Sequence, residues 1–126
     1  MIIWEVQGCL HITFLPRKPT PLGIQLKTLV DAISGILLGV EIVEGKAVDS
    51  QKKWYAEYGH CAATTLRMCE PYAGQERTLI GDAWFGSFKT AYHLAKMGVH
   101  CVLNLKNHTA HAAKRDLVAM CPERGD

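Results

Sequence analysis

Three prolines and a glycine fall within eight residues, from Pro16 to Gly23, and they constrain the fold more than any other part of the sequence. Proline fixes φ and has no backbone N–H to donate, so it is excluded from helix interiors and central strands. The segment is therefore predicted to be an irregular link. Short strands are predicted before it, over Ile2 to Val6 and Leu10 to Leu15.

Two β-rich segments follow the link. Ile24 to Val30 alternates apolar with polar residues, Ile36 to Val43 is rich in β-branched residues, and Asp31 to Gly35 supplies turn residues between them. This pattern predicts a β-hairpin. Because the second segment is apolar at successive positions, both of its faces are predicted to be covered.

Helices and strands alternate in the rest of the chain. The predicted elements are a helix near Ala62 to Glu70, a short buried strand over Thr78 to Gly81, a helix that Ser87 caps and Gly98 ends, a strand over Val99 to Leu105, and a last helix marked by Ala110, Ala113 and Leu117. The residues expected to share one face of the second helix are Phe88, Ala91, Tyr92 and Ala95. Strands first and alternation afterwards predict an α/β fold, a mixed sheet with flanking helices in the ribonuclease H-like order.

Length and composition limit the class of protein. A chain of 126 residues supports one domain at most, and 48% hydrophobic with 21% charged residues is typical of a globular protein. No apolar run approaches the roughly 18 to 20 residues that span a bilayer, so no membrane partner is expected. Met1 to Glu5 contains no basic leader, so no signal peptide is expected either, and the compartment is predicted to be reducing.

Cysteine and histidine patterns argue against disulfide and zinc sites. The five cysteines are an odd number without a Cys-x-x-Cys pair and are interpreted as mostly buried thiols. His60 and His100 each stand beside a cysteine, and His108 and His111 have no third ligand nearby in the sequence, so zinc is disfavoured. The formal net charge of +2 neither requires nor excludes a polyanionic partner.

Asp82 is the strongest candidate for a chemical role. It follows a predicted strand and precedes a helix, and ligand sites in open α/β sheets cluster at the carboxyl ends of strands. A carboxylate there suits a divalent metal, while the simpler interpretation is that Asp82 only begins a turn. Gly81 to Ser87 lacks the lysine of a phosphate-binding loop, which excludes nucleotide hydrolysis. Asp31 and Glu44 would lie roughly 25 to 30 Å apart at opposite ends of the hairpin, too far to share a metal.

Four basic residues are candidates for nucleic-acid binding. Arg17 and Lys18 stand in the proline link, and Lys52 and Lys53 precede Trp54. They could contact phosphates, as could Lys27, or they could simply form a solvated face.

Two blocks of the sequence resemble piggyBac-type transposases. Pro16 to Leu26 resembles the Lys-Pro and Gly-Ile-Lys segment of that family, and the hairpin through Lys46 resembles its continuation. Gly81 to Ser87, with the helix that follows it, resembles the family's Asp-Asn-Phe-Phe-Thr-Ser block. The resemblance spans about Met1 to Leu105, with Gln25 in place of a family lysine and Ala83 in place of an asparagine.

The resemblance implies a ribonuclease H-like catalytic core that cuts and rejoins DNA in the nucleus. Aspartates there hold two divalent ions, Mg²⁺ or Mn²⁺, which stabilise the attacking and leaving oxygens. Asp82 matches the second of these aspartates. The first precedes the position that matches Met1 and the third follows the position of Asp126, so residues 1–126 are expected to be one partial catalytic domain.

Three functional hypotheses follow. The first is a fragment or derivative of a piggyBac-like transposase domain that keeps Asp82 but does not cleave DNA alone, which leaves its status as an enzyme open. The second is a non-catalytic module that binds DNA or a protein through Arg17, Lys18 and the cluster from Lys52 to Trp54. The third is a relic without a role, in which an unpaired sheet edge would favour aggregation.

Overall fold

The computed structural model describes residues 11–105 and residue 119 of the chain. In chain order the elements are strands β1 (Ile12–Phe14), β2 (Leu22–Ile24), β3 (Leu26–Val30) and β4 (Leu37–Ile42), helices α1 (Lys46–Asp49), α2 (Tyr55–Tyr58) and α3 (His60–Cys69), a 3-10 turn (Glu70–Tyr72), strand β5 (Thr78–Gly81), helix α4 (Phe88–Lys96) and strand β6 (His100–Leu103). Within this part of the chain the strands pair two by two, antiparallel in the first two pairs and parallel in the third. The predicted order of antiparallel strands followed by parallel ones is present.

The proline link is the connection of a small hairpin. Strands β1 and β2 pair antiparallel from Ile12 opposite Ile24 to Phe14 opposite Leu22, and the Leu15 N–H donates to the Pro21 carbonyl at 2.7 Å. The prediction that the link extends through Gly23 was therefore wrong by two residues, because β2 begins once the last proline has passed. The strand predicted over Ile2 to Val6 lies outside the described residues.

The second hairpin is confirmed. Strand β3 pairs antiparallel with β4, and the connection is closed by the Asp31 N–H, which donates to the Ile36 carbonyl at 2.9 Å. At the opposite end the Val43 N–H donates to the Gln25 carbonyl at 3.0 Å. Asp31 and Glu44 thus lie at opposite ends of the hairpin. This agrees with the prediction that they are too far apart to bind one metal ion.

The burial of this hairpin differs from the prediction. Strand β4 was expected to be covered on both faces, yet Leu37 is 54% exposed and Val40 49%. In β3 the alternation of apolar and polar residues predicts that Val30 faces the core and Lys27 faces solvent. The structure shows the reverse, because Val30 is exposed and Lys27 is buried. The physical reason is that these two strands form a sheet by themselves in the described part of the chain, so their apolar faces are only partly covered.

The core lies between helices α3 and α4 and the parallel strands. Its buried side chains include Leu66 and Cys69 of α3, Leu94 of α4 and Val99 before β6. Helix α3 confirms the predicted helix and begins two residues earlier than expected. Burial raises the pKa of the Cys69 thiol to about 11. Of the cysteines in the described residues Cys69 is buried, whereas Cys61 and Cys101 are only partly buried, so the expectation of mostly buried thiols is met by Cys69 alone.

Helix α4 has the predicted ends and a different buried face. The Ser87 hydroxyl accepts the Thr90 N–H at 3.0 Å, and Gly98 ends the helix with φ of +69°, a conformation that favours glycine. The side chains that are fully buried belong to Thr90 and Leu94, whereas Tyr92 is 58% exposed. The predicted face, which also includes Phe88, Ala91 and Ala95, is only half-buried at Phe88 and Ala91 and exposed at Ala95, so the apolar spacing did not identify the most buried side of the helix.

The strand before Asp82 is only half-buried. Strand β5 runs parallel to β6, but Ile80 is 72% exposed and Val102 of β6 is 62% exposed. Leu79, by contrast, packs against the core. The helices therefore cover the face of the β5–β6 pair that carries Leu79. The prediction of a buried strand was wrong for the opposite face, which carries Ile80. The predicted last helix, marked by Ala110, Ala113 and Leu117, lies outside the described residues.

A network of charges joins the second hairpin to helices α1 and α3. The Arg67 guanidinium of α3 donates to both carboxylate oxygens of Glu41 on β4. The Lys52 ammonium lies 2.7 Å from Asp49 Oδ1, 2.8 Å from Glu44 Oε2 and 3.7 Å from Glu41 Oε1. Burial alone would raise the pKa of Asp49, but hydrogen bonds from Lys52 and from the Glu44 N–H hold it below its ordinary value.

Replacing Lys52 by methionine is expected to destabilise the fold, because it leaves the buried Asp49 carboxylate without its cation. The expected loss is about 2 to 3 kcal/mol in the free energy of unfolding, measured by urea denaturation. Lys46→Met is the matched control, since Lys46 lies exposed on helix α1, the helix that carries Asp49, and its effect should stay within about 0.5 kcal/mol. Equal effects of the two variants would contradict a structural role for Lys52.

Candidate functional site

Asp82 opens a tight turn directly after β5. Its carbonyl accepts the N–H groups of Phe85 and Gly86, both at 3.1 Å, and its Oδ1 accepts the Trp84 N–H at 2.9 Å. The residue itself is exposed. The turn-forming role considered from the sequence is therefore real, and it fixes the carboxylate without burying it.

The turn is seated on the end of β6. The Asn104 N–H donates to the Gly81 carbonyl at 3.1 Å, which continues the parallel ladder up to the turn. A Cβ atom at Gly86 would lie 1.9 Å from the Asn104 carbonyl oxygen, so only glycine allows this approach. Asp82 consequently lies at the carboxyl ends of two parallel strands, where ligand sites of α/β sheets form.

A buried lysine lies against the same turn. Lys27 of β3 is 8% exposed, and its ammonium lies 3.4 Å from the centroid of the Trp84 ring and 5.7 Å from that of Phe85. Burial lowers the pKa of Lys27, and the nearby Cys61 and Asp82 partly oppose that shift. Strand alternation assigned Lys27 to the solvent side, so no pattern in the sequence indicated this contact.

Histidine and aromatic rings complete the surroundings of Trp84. The ring of His60, at the start of α3, meets Trp84 edge-on at 5.5 Å between centroids, and Phe85 meets it at 4.8 Å. The Nδ1 atom of His60 is buried and has no hydrogen-bond partner in the described structure. The indole is thus enclosed by rings and by the Lys27 ammonium, which is the geometry of a cation–π contact.

The described residues supply one exposed carboxylate for a metal ion at this turn. Across residues 11–105 there is no group of three or more His, Cys, Asp or Glu side chains arranged to hold one. Asp82 has the hard oxygen ligands that Mg²⁺ and Mn²⁺ prefer, so it fits as a single ligand of such an ion. A two-ion site needs more carboxylates than this part of the chain brings together.

The four basic candidates fall into two separate places. Arg17 and Lys18 are exposed in the connection between β1 and β2. Lys52 and Lys53 lie between α1 and α2, where Lys52 contacts three carboxylates and Lys53 forms an ion pair with Glu70. A role of all four in binding nucleic acid stays a prediction.

An apolar cavity of about 490 Å³ adjoins the Asp82 turn. It lies between β3 and β5, with Val30 on one side and Ile80 on the other, and Gly81 and Phe85 line the end next to the turn. The cavity therefore borders the turn, and Asp31 is the one carboxylate residue among the described residues that line it.

Comparison with known proteins identifies the family. The model of the family described as Transposase IS4 matches residues 3–120, nearly the whole sequence. The chain belongs to the Transposase IS4 family. No curated protein matches it.

A solved structure shares the fold of this family member. It is a cryo-EM structure of a piggyBac transposase synaptic complex with hairpin DNA, with a TM-score of 0.70 and 18% sequence identity. The match covers 81% of this chain and 21% of that one, so the chain spans about a fifth of the length of the transposase it resembles. This likeness confirms the mixed α/β fold class and shows that the resemblance to piggyBac transposases extends to the fold.

The family match bears on the hypotheses drawn from the sequence. It favours part of a DDE transposase over the alternative of a non-catalytic binding module. In the described residues no helix is both long and apolar enough to cross a membrane.

Gly86→Ala is expected to displace the Asp82 turn, because the new Cβ would overlap the Asn104 carbonyl oxygen and both atoms belong to backbone. The free energy of unfolding should fall by at least about 2 kcal/mol in urea denaturation. Gly39→Ala is the control, since its Cβ would meet Leu29 Cβ at an ordinary 3.8 Å and should change stability by less than about 1 kcal/mol. A fully stable Gly86→Ala variant would show that the turn does not depend on this close approach.

Proposed function

We propose that this chain contributes Asp82 as a divalent-metal ligand to the catalytic domain of a DNA transposase. The observation that carries the proposal is the exposed Asp82 carboxylate, held by a preformed turn at the carboxyl ends of β5 and β6 in a chain of a transposase family. This is the position at which α/β sheets present ligands for phosphate chemistry.

The proposed chemistry is metal-dependent cleavage and joining of DNA strands. When bound, Mg²⁺ or Mn²⁺ would stabilise charge on the reacting phosphate and lower the pKa of a water or hydroxyl nucleophile. Asp82 would hold such an ion with its carboxylate while the Trp84 N–H keeps Oδ1 oriented. Since the described residues provide one carboxylate here, the chain by itself is proposed to bind a cation weakly and to leave DNA uncut.

DNA is the proposed partner, contacted through the exposed Arg17 and Lys18. These residues are exposed and lie in the β1–β2 connection. Lys52 and Lys53 are proposed as weaker contacts, because their ammonium groups already face carboxylates. We also propose that the protein is located in the nucleus, because a transposase must reach chromosomal DNA.

Asp82→Asn is expected to weaken Mn²⁺ binding to the chain by at least about tenfold, because an amide lacks the charge that attracts the cation. The measurement is a titration of free Mn²⁺ by electron paramagnetic resonance. Asp31→Asn is the matched control. The Asp31 carboxylate also accepts a backbone N–H in a turn, from Ser34 at 2.8 Å, but this turn connects β3 and β4 and not β5 and α4. Its affinity should equal that of the unaltered chain.

Two outcomes would contradict this part of the proposal. Equal Mn²⁺ affinity in the Asp82→Asn and unaltered chains would remove Asp82 as the ligand. Nicking of supercoiled DNA by the unaltered chain with Mn²⁺, abolished in Asp82→Asn, would keep Asp82 as ligand but show that the chain completes its site alone.

Replacing Arg17 and Lys18 together by glutamine is expected to reduce the salt dependence of DNA binding. The slope of log affinity against log salt should become shallower by about 0.9 for each phosphate that the variant no longer neutralises, measured with a hairpin duplex by fluorescence anisotropy. Lys46→Gln removes an equally exposed charge on helix α1 and should leave the slope unchanged. An unaltered slope in the double variant would exclude the β1–β2 connection as a phosphate-binding segment.

A further inference from the structure

Lys27 is placed where a charged side chain is costly. It is 8% exposed on a strand whose apolar neighbours Val30 and Ile42 are more exposed than it is. Burying an ammonium group costs free energy unless another group compensates for the missing hydration. Besides the nearby Cys61 and Asp82, the structure offers compensation in the face of the Trp84 ring, 3.4 Å from the Lys27 ammonium.

Trp84 connects this lysine to Asp82. Its ring makes the cation–π contact with the Lys27 ammonium, and its backbone N–H donates to Asp82 Oδ1 at 2.9 Å. A shift of the indole would therefore shift the N–H that orients the carboxylate. The rings of His60 and Phe85 pack nearly perpendicular to the same indole, with centroids 5.5 and 4.8 Å from its centroid.

We propose that Lys27 is a positioning residue for Asp82, acting through the cation–π contact with Trp84 and the hydrogen bond from the Trp84 N–H. The role of Asp82 as a metal ligand rests on the proposed function, whereas the link from Lys27 to the turn does not. Lys27 joins the second hairpin to the carboxyl ends of β5 and β6, two parts of the described chain that no strand ladder connects.

The charge of Lys27 is the property that this role requires. An apolar side chain of similar length would fill the same space without the cost of desolvation, but the ring face would not attract it electrostatically. Arginine keeps the charge and stacks on aromatic faces, so it should substitute for lysine here. The comparison of Lys27→Met with Lys27→Arg therefore separates charge from packing.

The test is amide hydrogen exchange measured by NMR on the full chain without metal. In Lys27→Met the Trp84 amide should exchange about tenfold faster, the factor expected when one hydrogen bond to a charged group is broken. The Leu94 amide in the core should keep its rate, and Lys27→Arg should restore the Trp84 rate. Lys53→Met is the matched control, because the Lys53 ammonium lies 4.2 Å from the Trp54 ring and should not affect Trp84.

An unchanged Trp84 rate in Lys27→Met would overturn the proposal, as would equal acceleration at Leu94, which would mean general destabilisation. Trp84→Leu tests the link from the other side, since it removes the ring and keeps Lys27 and the amide. Faster exchange at residue 84 in this variant supports the proposal even where Lys27→Met does not fold, and an unchanged rate contradicts it. Because these rates are read without metal, a failure of Mn²⁺ binding at Asp82 remains a separate result.

Discussion

The ion pairs of Lys52 and Arg67 hold together parts of the chain that apolar packing joins weakly. Strands β3 and β4 leave much of their apolar surface exposed, whereas Glu41 on β4 receives the Arg67 guanidinium of α3 and lies near the Lys52 ammonium. Removing one partner of a buried charge pair costs more than the pair contributes, because the other charge stays desolvated. The position of the hairpin, and with it that of Lys27 over Trp84, therefore depends on these charges.

Turn formation and metal binding are compatible roles for Asp82. The turn uses its carbonyl and one carboxylate oxygen, Oδ1, while the residue remains exposed. A carboxylate has about four lone-pair sites, so one hydrogen bond leaves it able to bind a cation. The two interpretations that the sequence left open for this residue therefore do not exclude each other, because the turn would orient Asp82 as the proposed ligand.

Local patterns predicted the elements and missed the contacts between them. The hairpin, the Ser87 cap and the Gly98 end follow from residues close together in sequence, and each was found where expected. The buried face of α4 and the exposure of β4 depend on which elements meet, which periodicity does not encode. Lys27 was missed for the same reason: strand alternation assigns a lysine to solvent, and only the packing of the Asp82 turn against β3 reveals the aromatic ring beneath it.

The arrangement around Asp82 rests on contacts within the protein. Its turn is closed by backbone hydrogen bonds and packs against the Asn104 carbonyl. The ring of Trp84, which belongs to the turn, contacts the Lys27 ammonium. In small metal sites whose ligands fold only around the ion, the free energy of binding is also free energy of folding. Here the ligand is oriented by contacts within the protein, so a cation would add little to the stability of the turn. Affinity for the proposed cation would then be set by the number of carboxylates that meet at the site, to which the described residues contribute Asp82.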